Sequence, residues 1–223
     1  MHTPSQPTSD RVYGWTLISL ALLTVAAMSQ HPHPTRSGAQ GFAQEFSEKA
    51  TVNVVVHGSL IALSTLTVVV MVRFAERLGL RERLTTRAGL AAYIVGTLAL
   101  CVAASINGLL LTRLAQRFVD APADELAMLE TLRILCKHGN FVADIVGIVS
   151  LCVAMCVWSV DVLTRGPRWL AAVGLVAGVT PLALLGTGCM PMTVAGMATF
   201  VVLHAVWCVA VGVALVRGLV GRA

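Results

Sequence analysis

The chain has 223 residues, of which 57% are hydrophobic and only 12% charged, and its mean hydropathy is +0.81. A soluble domain, which usually carries about 25% charged residues, could not cover its exterior with so little polar surface. The net charge of +5 does not point to nucleic acid, because most basic residues flank long apolar runs and no nucleic-acid signature is present.

Those runs decide the fold class. Charges gather in short stretches and leave segments of roughly 18 to 24 residues almost uncharged, against the ~20 residues a helix needs to cross the hydrocarbon core. Backbone groups in lipid must bond internally, so such runs form helices. The expectation is an all-α, polytopic transmembrane bundle of six spans, built as a single domain.

Span one is expected at 12–28. Residues 1–27 also fit a cleaved signal peptide, with Val25 and Ala27 as small residues, although Arg11 is the single basic residue ahead of the apolar run and Asp10 accompanies it. A polar segment, 29–50, follows. Its Pro and Gly set an irregular first half, and its second half reads as helix running into span two at 52–72. Next come Arg73, Arg77, Arg81, Arg83 and Arg87, then span three at 88–111. In the mixed-charge segment 112–137, Leu126, Leu129, Leu132 and Leu135 recur near helical spacing. This predicts a surface helix or an extension of the next span. Span four is placed at 139–160, a turn holds Gly166 and Pro167, span five is placed at 169–186, and span six at 193–216. Pro181 marks a kink site in span five. Gly89, Gly96, Gly139, Gly147, Gly174 and Gly178 predict close helix contacts.

Lys and Arg set the orientation. With the N-terminus inside, the inner segments hold ten: Arg11, Arg73, Arg77, Arg81, Arg83, Arg87, Arg165, Arg168, Arg217 and Arg222. The outer segments hold six: Arg36, Lys49, Arg113, Arg117, Arg133 and Lys137. The positive-inside rule therefore predicts both termini in the cytoplasm, with Trp158 and Trp169 at the inner interface. In general organisation the layout resembles six-span bacterial membrane proteins, so the bacterial inner membrane is the expected location. The resemblance rests on no motif and carries no activity.

Polar side chains inside spans are expensive and mark where function sits. On this topology His57, Asn107 and Asp144 lie at one depth below the outer boundary, with His138 and Asn140 at the mouth. They predict an outward-facing pocket for a metal, a haem or a small ligand. The alternative is an interhelical hydrogen-bond cluster that only joins helices. His204 stands apart, near the middle of span six, as a bonded core residue or a ligand to haem or metal. A second group comprises His31, His33, Cys189, Met190 and Met192 in two outer loops, a donor set suited to copper. Cys136 and Cys189 are also candidates for a disulfide.

Three functions are compatible with this reading. The first is a binding protein acting as a sensor, chaperone or subunit of a larger membrane complex. The second is a transporter or channel for a small solute or protons, acting as a homo-oligomer. The third is a membrane enzyme using His57 and Asp144 as an acid–base pair. The lipid bilayer is the one partner common to all.

Overall fold

A computed structural model of the protein describes residues 7–32 and 35–221. The described residues form helices and connections, with no strand. In chain order the helices are α1 (Pro7–Ser29), α2 (Gly38–Glu48), α3 (Ala50–Leu78), α4 (Leu84–Ala104), α5 (Leu111–Phe118), α6 (Ala123–Arg165), α7 (Arg168–Gly186) and α8 (Val194–Val216). A π-helical turn, Ser105–Leu110, joins α4 to α5. Six segments are long and apolar enough to cross a membrane: α1, α3, the α4–α5 unit, α6, α7 and α8. The protein is therefore a multi-pass helical membrane protein. Side chains such as Leu22, Val69, Leu98, Val153, Val176 and Val206 are exposed on its flanks, where lipid covers them.

Spans five and six match their expected bounds to within a residue. The others run longer. α3 continues through Arg73 and Arg77 to Leu78 and stops at Gly79, whose φ of 93° a residue with a side chain rarely adopts. Charge alone does not end a helix; the backbone turn does. α6 begins at Ala123, so the amphipathic leucine stretch is an extension of span four. Its 43 residues make a helix of about 65 Å, twice the ~30 Å hydrocarbon core.

The overhang has a purpose in the packing. α2, α5 and the first turns of α6 form a cap with its own core of Phe42, Ala43, Leu111, Ala115, Phe118 and Leu129. α2 does not run directly into span two as expected. The chain breaks at Lys49 (φ −96°, ψ 11°), which lets α2 turn Phe42 and Ala43 onto this core. Buried Glu45 ties the cap to the preceding loop. Its carboxylate accepts from Lys49 Nζ (2.6 Å) and from the backbone N–H groups of Thr35 (2.7 Å) and Arg36 (2.8 Å). These bonds, the one from Lys49 foremost, hold its carboxyl down at about 2, from an ordinary 4.5. A depressed carboxyl contributes stability above its unfolded value that is lost as pH falls through the folded one. The protection of the α2 amides against hydrogen exchange, relative to intrinsic rates, should therefore fall between pH 4.5 and 2. Glu45→Gln should weaken α2 protection at neutral pH and flatten this response.

The six spanning units form a closed ring in chain order. α1 packs on α3, α3 on α4, α4 on α6, α6 on α7, α7 on α8, and α8 back on α1. At Gly96 and Gly147 the backbones of α4 and α6 meet so closely that a Cβ on Gly96 would lie 2.9 Å from the Gly147 carbonyl oxygen. Gly89, Gly174 and Gly178 are equally tight, whereas Gly139 has no neighbour nearer than 3.7 Å and plays no such part.

At the arginine-rich end the ring is filled by Met71, Phe74, Trp158, Trp207 and Leu215, all at most 2% exposed. Trp158 corrects an expectation. It does not sit at the interface but lies inside, stacked on Trp207 with ring centroids 5.7 Å apart. Its indole N–H is satisfied by the Thr86 carbonyl (3.2 Å), which makes burial affordable. Trp169 is 42% exposed. Two buried carboxylates close this end. Asp10 pairs with Arg73 and Arg77. Asp161 accepts from Thr85 (2.7 Å), Thr86 (2.7 Å) and Arg83 (3.2 Å).

Candidate functional site

Toward the cap end the ring is not filled. A cavity of about 130 Å³ lies inside it, walled by α1, α3, α4 with the π turn, α6 and α8. Its wall runs from His57 to Thr67 on α3 and from Asn140 to Leu151 on α6, so it is about 15 Å deep at 1.5 Å per residue. Its polar end, the mouth, lies toward the cap and holds His31, His57, Asn107, Asn140 and Asp144. The floor rests on the aromatic layer around Trp158 and Trp207.

The expected pocket residues His57, Asn107, Asn140 and Asp144 all reach this wall near the mouth. His138 does not; it is exposed on the outside of α6. His204, read from sequence as separate, lines the same cavity lower down. Its Nε2 lies 3.1 Å from the Tyr93 hydroxyl, and Cys208 Sγ is 3.6 Å from the same nitrogen.

The local backbone explains the mouth. Asn53, one turn before His57, donates to Thr112 (2.7 Å) and to the Asn107 carbonyl (3.3 Å). That carbonyl belongs to the π turn, where backbone bonding is irregular and a side-chain partner is available. Gly108 in the same turn packs flat against His57, so that a Cβ there would overlap the histidine's own Cβ and Cγ. His57 Nδ1 meets the Asn53 carbonyl at 2.9 Å. A carbonyl only accepts, so Nδ1 carries the proton and Nε2 is left as an acceptor.

His31, at the end of the turn after α1, fills that acceptor. The two Nε2 atoms are 3.1 Å apart, with ring centroids at 4.7 Å and planes at 67°. His31 Nδ1 also lies 3.0 Å from the Pro32 carbonyl. Both acceptors are satisfied together only when His31 carries a proton on each nitrogen. His31 thus reaches the cavity mouth, a place the copper grouping did not give it. Of that group, His33 lies outside the described residues, Cys189 is exposed, Met190 is buried in the main core and Met192 packs against it. Among the described residues no group of three or more His, Cys, Asp or Glu side chains is arranged to hold a metal ion. Cys136 and Cys189 are both free thiols.

Sequence reasoning missed Tyr93. A signal existed: it is the single aromatic residue of span three, and a tyrosine buried in an apolar run needs a partner for its hydroxyl. It also missed that His31 would leave its loop for the mouth, for which the sequence carries no signal.

The wall is mainly aliphatic and aromatic, with Leu60, Ile61, Leu100, Phe200 and Val201 between the polar mouth and the Tyr93–His204 pair. In size the cavity compares with the ~150 Å³ engineered cavity that admits benzene, room for one ring or a short chain. A porphyrin does not fit the space. No family model matches the chain, and no curated protein or solved structure matches it either.

Proposed function

We propose that this chain is a small-ligand-binding membrane protein of the bacterial inner membrane, acting as a sensor or as the binding subunit of a larger assembly. The excess of arginine beside Asp10 and Asp161 supports cytoplasmic termini, which turns the cavity mouth to the periplasmic side. One observation carries the reading. A ring-sized apolar cavity has polar groups gathered at its mouth, and a fully buried aromatic layer seals it on the side away from the mouth. Mostly apolar walls with a few convergent polar groups are the usual composition of a small-molecule site. The sealed floor favours binding over passage.

Ala104 lines the cavity, so Ala104→Leu reduces the space inside it. A panel of ring-sized compounds is screened by thermal unfolding of the reconstituted protein. At 100 times its Kd a true ligand stabilises wild type by about 2.7 kcal/mol. The same compounds should leave Ala104→Leu unshifted. If none separates the two proteins, the cavity is a packing feature and the proposal fails. Solute flux in proteoliposomes that Ala104→Leu abolishes would replace it with transport.

A further inference from the structure

Among the described residues four carboxylates are buried: Asp10, Glu45, Asp144 and Asp161. Three have a cation of their own, Asp10 from Arg73 and Arg77, Glu45 from Lys49, and Asp161 from Arg83. Asp144 is the exception. It is 8% exposed, lines the cavity, and among the described residues no Lys, Arg or His comes within ion-pair distance of it. Its one hydrogen-bond partner is the Asn140 amide, Nδ2 to Oδ2 at 2.6 Å. His31, also at the mouth, engages His57 and Pro32.

Asn140 sharpens the imbalance. With its Nδ2 committed to Asp144, its Oδ1 is buried and has no hydrogen-bond partner. Turning the amide over would only set that oxygen against the carboxylate. The upper cavity is therefore lined by a carboxylate with no counter-charge, beside an amide oxygen that is covered and has no partner. A buried carboxylate without a counter-charge is costly in lipid, and such residues face ligands or counter-ions.

We infer that the cavity takes a primary amine with a single-ring or short-chain apolar body, its ammonium seated between Asp144 and the Asn140 oxygen. This rests on the binding reading above. An ammonium group brings one positive charge and three N–H donors, which match a carboxylate and an amide oxygen on neighbouring turns of one helix. The apolar body follows from what lies beneath, where Leu100, Phe200 and Val201 line a space of one ring. A bare metal ion would leave that apolar space unfilled and would find too few anionic or imidazole donors.

The test uses full-length protein in nanodiscs, with empty nanodiscs as the blank for partitioning. Isothermal titration calorimetry compares 2-phenylethylamine with 2-phenylethanol and phenylacetate, which differ only in the head group. Wild type should prefer the amine over the alcohol by at least about tenfold, the worth of one charge-assisted hydrogen bond. Phenylacetate should not bind. Asp144→Asn should erase the amine's advantage over the alcohol. Alcohol or carboxylate binding to wild type as tightly as the amine would overturn the ammonium seat while the cavity reading survives. So would amine binding unchanged in Asp144→Asn, or displaced by sodium or zinc ions. The comparison of head groups on wild type decides the matter even if the variant folds poorly. Failure of all three probes to bind wild type would sink both the seat and the binding reading.

Discussion

Trp158→Ala is expected to destabilise the protein by about 3 kcal/mol, the low end of the range for removing a buried indole. The indole is fully buried and contacts Phe74, Tyr93 and Trp207 at ring-centroid distances of 5.5 to 5.7 Å. In lipid the transfer term of a soluble core is largely absent, because acyl chains are as apolar as the interior. What remains is lost dispersion contact, the cavity left behind and the N–H bond to the Thr86 carbonyl. Thermal or chemical unfolding of the purified protein measures it, with Cys152→Ala as a control for a small buried side chain, expected to cost under about 1.5 kcal/mol. Equal losses in the two variants would show that the aromatic layer does not hold the floor. The variant should also enlarge the cavity toward the arginine-rich end, so ligand selectivity should shift to longer bodies.

Gly108→Val is the second large effect, and it acts on the site directly. The added side chain would overlap His57 at Cβ and Cγ, and no rotamer change moves the Cβ aside. Either α3 and the π turn separate or His57 leaves the mouth. Overpacking typically costs about 1–3 kcal/mol, and a clash with fixed atoms belongs at the upper end. Separation also pulls Asn53 from Thr112 and from the Asn107 carbonyl, so the mouth should lose its shape. The expected outcome is a loss of about 3 kcal/mol in stability, with ligand binding falling beyond detection. Gly186→Val, in open space at the end of α7, is the control and should bind as wild type does. Retained binding in Gly108→Val would mean that the His57 position does not matter to the site.

How much of this was legible beforehand differs by feature. The six spans follow from composition alone, because lipid leaves the backbone only internal bonding and the apolar runs have the required length. His57, Asn107, Asn140 and Asp144 were found for a related reason. A polar group in an apolar run is expensive, so its position is informative, and helical rise converts position into depth. His138 was misplaced because depth says nothing about rotation at a helix end, where either side of α6 was open to it.

What the tertiary structure decided is which groups are paired. Asp10, Asp144 and Asp161 look alike in sequence, each a single acid in or beside an apolar run. The ring of helices brings arginines to two of them and leaves Asp144 facing a cavity. His204 and His57 sit on separate spans, and only the ring closure of α8 onto α1 sets both on one wall. The reason is physical. Hydropathy and period are properties of a segment and its solvent, so a sequence displays them directly. Pairing, void space and the partner of a buried charge depend on how separate helices meet, and residues far apart in the chain acquire those only on packing.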